Sequence, residues 1–315
     1  MKKSITILIP AYNEEDVLPA LFRRLNKLSD KLKSYNLEFL FVDDGSKDRT
    51  LDLLRDAAVR DKRVNFVRLS RNFGKETALK AGIDHLTSDA VIILDADLQD
   101  PPELVPKMVK FWQQGFDDVY ARRVSRDGES FMKKFTSWGY FKVLKRTTKI
   151  PIQEHTGDFR LLDKKCVAAL RKLSETNRNT KAFYSWIGFS KKEITYRRQA
   201  RAAGKTKLRW GTLIKHAIDG ITSFTTAPLR FATILGLAIS LASFIFILFV
   251  VIRTLIHGPD TSGWPSMMSV ILFLGGVQLL ALGIIGEYVG RIFDETKRRP
   301  LYFIEEIHLG KNSRK

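Results

Sequence analysis

Cysteine is almost absent from the chain: Cys166 is the only one in 315 residues. No internal disulfide can form, so packing must hold the core, and a lone thiol fits a reducing compartment. Histidine is scarce too, with five residues, and His155 has no second histidine at ligand spacing, so it is read as structural or solvated. No Gly-x-Gly-x-x-Gly follows the first expected strand, which argues against an ordinary dinucleotide dehydrogenase. Acidic residues are in deficit, 34 against 53 Lys and Arg, for a net charge of +19. Such an excess suits nucleic acid or an anionic membrane, and the aromatic-plus-basic pattern of a nucleic-acid module is missing. Finally, charge is absent from two long stretches. Phe231 to Ile252 has none over 22 positions, and Thr261 to Gly286 has none either, its apolar density starting at Met267. At about 1.5 Å per helical residue each can cross the roughly 30 Å hydrocarbon core, whereas buried globular helices seldom run this far without a charge.

What is present begins with repeated strand-to-helix units. Ser4 to Pro10 reads as a short strand, followed by AYNEE, with Asn13 placed to cap a helix carrying Val17, Leu18, Leu21, Phe22, Leu25, Leu28 and Leu32 at three- and four-residue spacing. The opening MKKSITILIP imitates a signal peptide, but its apolar part is short and runs into Asn13, Glu14, Glu15 and Asp16, so a cytosolic N-terminus is expected. The second unit is Leu37 to Val42, then Asp43, Asp44, Gly45 and Ser46 before a helix. The third is Val64 to Leu69, the loop RNFGK from Arg71 to Lys75, and a helix from Glu76 to about Leu86. The fourth strand, Val91 to Leu94, ends in Asp95, Ala96 and Asp97 before a helix opened by Pro101 and Pro102. Four such units imply a largely parallel, doubly wound sheet whose loops gather at one edge.

That edge is where open α/β sheets bind ligands, and Asp-x-Asp in a turn can hold a hard divalent cation bridging a diphosphate. Mg²⁺ or Mn²⁺ suits such oxygens, and Gln99 can add a carbonyl. An acidic loop capping the next helix is the plainer explanation of the same residues. Asp117 to Ala121 reads as a further strand delivering Arg122 and Arg123, and HTGDFRLLD, from His155 to Asp163, can return Asp158 and Arg160 to the same edge. Phe183 to Phe189 and Glu193 to Tyr196 carry weaker strand signals.

Other segments point to a bilayer. Residues 131–146 place Phe131, Phe135, Trp138 and Phe141 near one helical face beside several lysines, which suits a helix lying in a membrane surface; a core-facing helix with a basic back is the alternative. In RQARAAGKTKLRW, Arg198, Arg201, Lys205, Lys207 and Arg209 either clamp phosphate or form a strip attracted to anionic lipid, and the two are compatible. Lys and Arg cluster on both sides of the two apolar stretches but not in the link from His257 to Ser266, Arg253 being the exception near the outer end, where its long side chain can snorkel, so the positive-inside rule puts both long ends in the cytoplasm. The expected division is a catalytic domain at 1–207, an interfacial segment at 208–230, spans at 231–256 and 267–290 joined by an external loop at 257–266, and a C-terminal tail at 291–315.

Taken together, IPAYNEE, VDDGS, NFGKETAL, DADLQDPPE, TGDFRLLD and GEYVGRIFDE resemble family 2 glycosyltransferases of the polyprenyl-phosphate type, the relatives of bactoprenol glucosyltransferase and dolichyl-phosphate mannose synthase. The resemblance covers nearly the whole chain, with the motifs in order. It implies a glycosyltransferase A catalytic domain with a Rossmann-like, mostly parallel sheet, followed by interfacial helices and a two-helix transmembrane hairpin in the cell membrane. It also implies a nucleotide-sugar donor, UDP-glucose first, a polyprenyl (undecaprenyl) phosphate acceptor, and an inverting transfer. Carried over by position, Pro10, Tyr12 and Glu14 contact the nucleotide, Val42 with Asp43 or Asp44 brackets base and ribose, and Arg123 follows the fifth strand. Asp95, Ala96 and Asp97, with Gln99, handle metal and diphosphate; Arg201, Lys207 and Arg160 take phosphate; Asp158 matches the acid proposed as base. A processive polysaccharide synthase fits less well, because Thr206 stands where its Gln-x-x-Arg-Trp motif needs Gln ahead of Arg209 and Trp210. A sugar-nucleotide sensor or membrane scaffold leaves the paired acids without a purpose. Gly275, Gly276, Gly283, Gly286 and Gly290 offer small-residue faces for self-association.

Overall fold

The computed structural model describes residues 2–123, 156–176, 178–196, 225–258 and 263–310. They divide into two units, one holding the N-terminal part with the last residues of the chain and one holding the apolar helices. The expected interfacial helix at 131–146 and most of the segment at 208–230 lie outside the described residues, as do His155, Arg201 and Lys207.

The first unit is built on β1 (Ser4–Ala11), β2 (Asn36–Asp43), β3 (Val64–Leu69), β4 (Ala90–Ile93), β5 (Asp118–Arg123), β6 (Thr156–Asp163), β7 (Lys191–Tyr196) and β8 (Ile304–His308). Its helices are α1 (Leu18–Lys31), α2 (Thr50–Arg60), α3 (Lys75–Asp84), α4 (Val105–Gln113), α5 (Lys164–Arg171) and α6 (Thr180–Trp186). The eight strands form one sheet in the order β7-β5-β6-β4-β1-β2-β3-β8. β1 to β4 are mutually parallel where they pair, while β6 runs antiparallel to β4 and β5 and β8 antiparallel to β3. Strands β1 and β4 are buried along nearly their whole length, as expected of a sheet covered on both faces. On α1, Leu18, Leu21, Leu25 and Leu28 form the buried stripe, each contributing about 1.5–3 kcal/mol by leaving water.

Three local expectations are corrected. Asn13 does not cap α1. Its backbone sits at φ 53°, and its Oδ1 accepts from Lys47 N–H (2.9 Å) while its own N–H donates to Ser46 Oγ (3.0 Å), so it staples the first two strand-end loops together. Residues 183–186 belong to a helix, α6, whose Asn179 cap accepts from Ala182 N–H and whose first residue is anchored from α3 by Glu76, which accepts from Thr180 N–H at 2.9 Å. The expected C-terminal tail contains a strand: β8 pairs with β3, Tyr302 donates to Asp84 (3.0 Å) and Gly310 N–H donates to Asn65 (2.6 Å).

The second unit contains α7 (Ala227–His257) and α8 (Trp264–Thr296). Both are long and apolar enough to cross a membrane, with mean hydropathy of 2.9 and 2.3 in their richest windows. Phenylalanine, leucine and isoleucine side chains of α7 stay exposed, as on a surface solvated by lipid. Tyr288 of α8 donates to the Thr225 carbonyl at the start of α7 (2.6 Å), closing a hairpin.

Candidate functional site

Strands β1 to β4 all deliver their C-terminal ends to one edge, and a cleft of about 390 Å³ opens there. It is lined by Pro10, Ala11, Tyr12 and Glu14 after β1, Asp44 after β2, Asn72, Gly74, Lys75 and Ala78 around the start of α3, and Asp95, Ala96 and Asp97 after β4. Seven expected residues, Pro10, Tyr12, Glu14, Asp44, Asp95, Ala96 and Asp97, therefore meet in one place. The loop after β2 shapes the cleft wall. Asp44 accepts both Phe73 N–H (2.7 Å) and Gly74 N–H (2.8 Å), and Gly45, at φ +67°, lies so close that a Cβ would stand 2.5 Å from the Arg71 carbonyl carbon. Burial pushes the Asp44 carboxyl up despite those two donors.

β6 completes the site from the other direction. Its antiparallel register pairs Ile93 with Arg160, and two further residues along each chain set Asp158 opposite Asp95. Between them stands Lys75, whose Nζ is 2.6 Å from Asp95 Oδ1 and 2.7 Å from Asp158 Oδ2. Asp158 is 4% exposed, and its Oδ1 has no hydrogen-bond partner among the described residues. Burial by itself raises the Asp158 carboxyl, but Lys75, Lys181 and Arg160 outweigh it and hold the group below the usual carboxylate range. Asp95 goes the other way: burial and the neighbouring Asp158 charge exceed what Lys75 returns.

Several expected site residues do not line the cleft. Arg160 is not available to phosphate: it is fully buried, its guanidinium 2.9 Å from Asp118 and 3.6 Å from the Tyr184 ring centroid. Val42 and Asp43 are fully buried beneath the cleft, Asp43 accepting from Ser46 N–H (3.0 Å). Gln99 is buried and absent from the cleft lining; it serves Asp97 by donating its backbone N–H (3.1 Å). Arg123 also lies off the lining, donating to Tyr196 Oη (3.1 Å), which in turn donates to buried Asp100. Sequence reasoning followed acids at strand ends and so passed over Lys75, Glu76, Asp100 and Tyr196. One signal was there: a lysine in the first turn of a helix opposes the helix dipole and needs a local anion to justify it.

The donor set was tested against a divalent cation. No group of three or more His, Cys, Asp or Glu suited to a metal occurs among the described residues, so these residues form no all-protein cage. Two carboxylates in an open cleft do suit an ion that takes its other ligands from a diphosphate and water, as Mg²⁺ does.

Residues 6–171 match the model for Glycosyl transferase family 2, just over half of the chain. The chain belongs to that family. Residues 227–292 of this glycosyltransferase match the GtrB C-terminal hairpin, which accords with two apolar helices fitting a membrane hairpin. An uncharacterized glycosyltransferase of Synechocystis is 47% identical over 98% of this chain and 96% of its own length. The SfII prophage-derived bactoprenol glucosyl transferase of Shigella flexneri is 40% identical over 97% and 99%. Among solved structures, mannosyl-3-phosphoglycerate synthase from Rubrobacter xylanophilus superposes with a TM-score of 0.50 at 16% identity, covering 69% of this chain and 71% of that one. The catalytic unit thus has the glycosyltransferase A fold, a Rossmann-like mixed sheet that is mostly parallel.

Proposed function

We propose that this enzyme moves a hexose from a nucleotide-sugar, UDP-glucose first, to a polyprenyl phosphate such as undecaprenyl phosphate at the cytoplasmic face of the cell membrane. The observation that carries the reading is likeness along the whole length, hairpin included, to relatives named bactoprenol glucosyl transferase. The fold is compatible with the orientation. β7 and β8 belong to one sheet on either side of the hairpin, so a chain crossing a bilayer between them crosses an even number of times. The positive-inside rule then puts that side in the cytoplasm.

In the proposed reaction an oxygen of the acceptor phosphate attacks the anomeric carbon as the bond to the nucleoside diphosphate breaks, a single displacement with inversion. Tyr12, Glu14 and Asp44 line the part of the cleft assigned to the nucleoside, and Asp95 and Asp97 the part assigned to the diphosphate. A bound Mg²⁺ or Mn²⁺ would supply positive charge to the departing diphosphate. The acceptor needs little help from a base, because a phosphate monoester has a second pKa near 6 and is mostly ionised at neutral pH. Asp158, already held as a carboxylate, instead receives a sugar hydroxyl at its unpartnered oxygen. Arg201 and Lys207 are proposed to gather the acceptor headgroup.

The test is release of nucleoside diphosphate by the detergent-solubilised full chain, offered common UDP- and GDP-sugars with and without undecaprenyl phosphate. Release with UDP-glucose that requires the lipid supports the reading. Release with another donor corrects the sugar, and binding of donors without any lipid-dependent release favours a sensor.

A further inference from the structure

The sheet edge that carries the cleft continues past it. β6 runs antiparallel to β4 and β5 antiparallel to β6, so the start of β6 and the end of β5 reach the same edge as the ends of β1 to β4. Along that edge the cleft strands come first, then Asp158 on β6, then Arg123 at the end of β5 with Tyr196 beside it on β7. The loop after β4 reaches across β6 to this end of the sheet, where its buried Asp100 accepts a hydrogen bond from Tyr196 Oη. Tyr196 Oη accepts in turn from Arg123 Nε at 3.1 Å, and Arg123 Nη2 stands 3.8 Å from Asp100 Oδ1.

A buried carboxylate, a buried phenol and a guanidinium therefore form one chain of contacts. Burial and the Asp100 charge push the Tyr196 hydroxyl up, so it keeps its proton for Asp100 and offers a lone pair to Arg123. Burial alone would lower the Arg123 guanidinium, but Tyr196 and the charges of Asp100 and Asp95 outweigh it and hold the group above its ordinary value. The tip is bounded as well. Nη2 lies against Gly157, where a Cβ would stand 3.0 Å away, and the next residue is Asp158. The Tyr196 ring is set edge-on to Phe159, with centroids 6.2 Å apart, which fixes the phenol itself. A pair that served only to pin the loop would be complete with Tyr196 and Asp100. Arg123 adds a fork of N–H donors, its side chain 26% exposed, beside the acid of β6.

We propose that Asp100 and Tyr196 are positioning residues that aim the Arg123 guanidinium at a phosphoryl group of the transfer reaction. The phosphoryl oxygens are those of the donor diphosphate or of the acceptor phosphate, and the experiment separates the two. This rests on the donor and acceptor reading above. A guanidinium recognises phosphate oxygens in a fixed plane, so turning it weakens the contact even though its charge is kept.

The experiment is a double-mutant cycle on the detergent-solubilised full chain. It reads lipid-dependent release of nucleoside diphosphate from UDP-glucose, or from whichever UDP- or GDP-sugar serves as donor, with KM taken separately for donor and for undecaprenyl phosphate. Tyr196→Phe is expected to lower kcat/KM by about tenfold, and Arg123→Met by about 100-fold. In the Arg123→Met background, Tyr196→Phe is expected to change kcat/KM by less than about twofold, because its effect runs through the missing guanidinium. A raised KM for the donor assigns Arg123 to the diphosphate, and a raised KM for the lipid assigns it to the acceptor. An equal loss from Tyr196→Phe in both backgrounds would overturn the proposal, as would unchanged kcat/KM in Tyr196→Phe alone. If Tyr196→Phe does not fold, the same cycle with Asp100→Asn decides. A wild-type chain that releases no nucleoside diphosphate from any donor would overturn the donor and acceptor reading, and this inference with it.

Discussion

Gly45 and Asp44 show how little freedom the cleft wall has. Asp44 holds Phe73 and Gly74 by two charge-assisted hydrogen bonds, which brings the Arg71 backbone against Gly45. A methyl group at Gly45 meets backbone at 2.5 Å and an unfavourable positive φ at once. Gly45→Ala is therefore expected to cost more than about 2 kcal/mol, from strain plus a displaced loop, seen as a lower denaturation midpoint of the catalytic unit. A midpoint equal to that of the wild-type chain would show that the loops can separate freely. Glu76 offers a test by pH. Burial and the nearby Asp158 charge raise its carboxyl above the ordinary 4.5. Because the folded value exceeds the unfolded one, ionising Glu76 costs stability as pH climbs from the unfolded value through the folded one, and the cost then stays constant. Glu76→Gln keeps an oxygen for Thr180 and removes that cost. Its melting temperature should exceed the wild-type value at about pH 8 by more than it does at about pH 4; an equal difference at both would contradict the assignment.

At the scale of elements, β8 is the informative case. Arg55 pairs with Glu306, and Arg68 with Glu305 at 2.8 Å, yet all four side chains are partly exposed. Such pairs are worth about 0.2–1 kcal/mol, so Glu306→Ala should scarcely move the denaturation midpoint. Removing residues 301–315 strips the ladder from β3 and opens a sheet edge, and should lower the midpoint far more and promote aggregation. Equal effects would mean that the ion pair, not the strand, secures the edge. This strand was illegible in the sequence because its pairing partner lies about 240 residues away and IEEIH has no pattern that names it. β1 to β4 were legible because each carries its own signal, an apolar run closed by acids or a glycine-bearing turn. Residues 183–186 were misread as strand because a short apolar run suits either element; the deciding contact, Glu76 to Thr180, is remote in sequence. The segment HTGDFRLLD reads as returning Asp158 and Arg160 to one edge of the sheet. It could not show that Arg160 is spent on Asp118 and Tyr184.

For the whole molecule, the two-helix membrane hairpin and the glycosyltransferase family were legible together, since the charge-free stretches and the motifs at strand ends are both read directly from residue order. The lone Cys166 is buried, and burial together with the charges of Asp118 and Asp117 pushes its thiol up to about 12, so it is inert to maleimides. A cysteine introduced at Ser262, between the apolar helices, should accordingly be labelled in intact cells by an impermeant maleimide, and one introduced at Lys47 only after lysis. Labelling of the second in intact cells would reverse the orientation. The central claim is transfer of one hexose to a polyprenyl phosphate, and mass spectrometry of the lipid product tests it most directly. Incubated with UDP-glucose, undecaprenyl phosphate and Mg²⁺ or Mn²⁺, the wild-type chain should give a lipid heavier by one anhydrohexose, and Asp97→Ala should give none. An unchanged lipid with every donor, from a folded protein that binds nucleotide, would contradict the account.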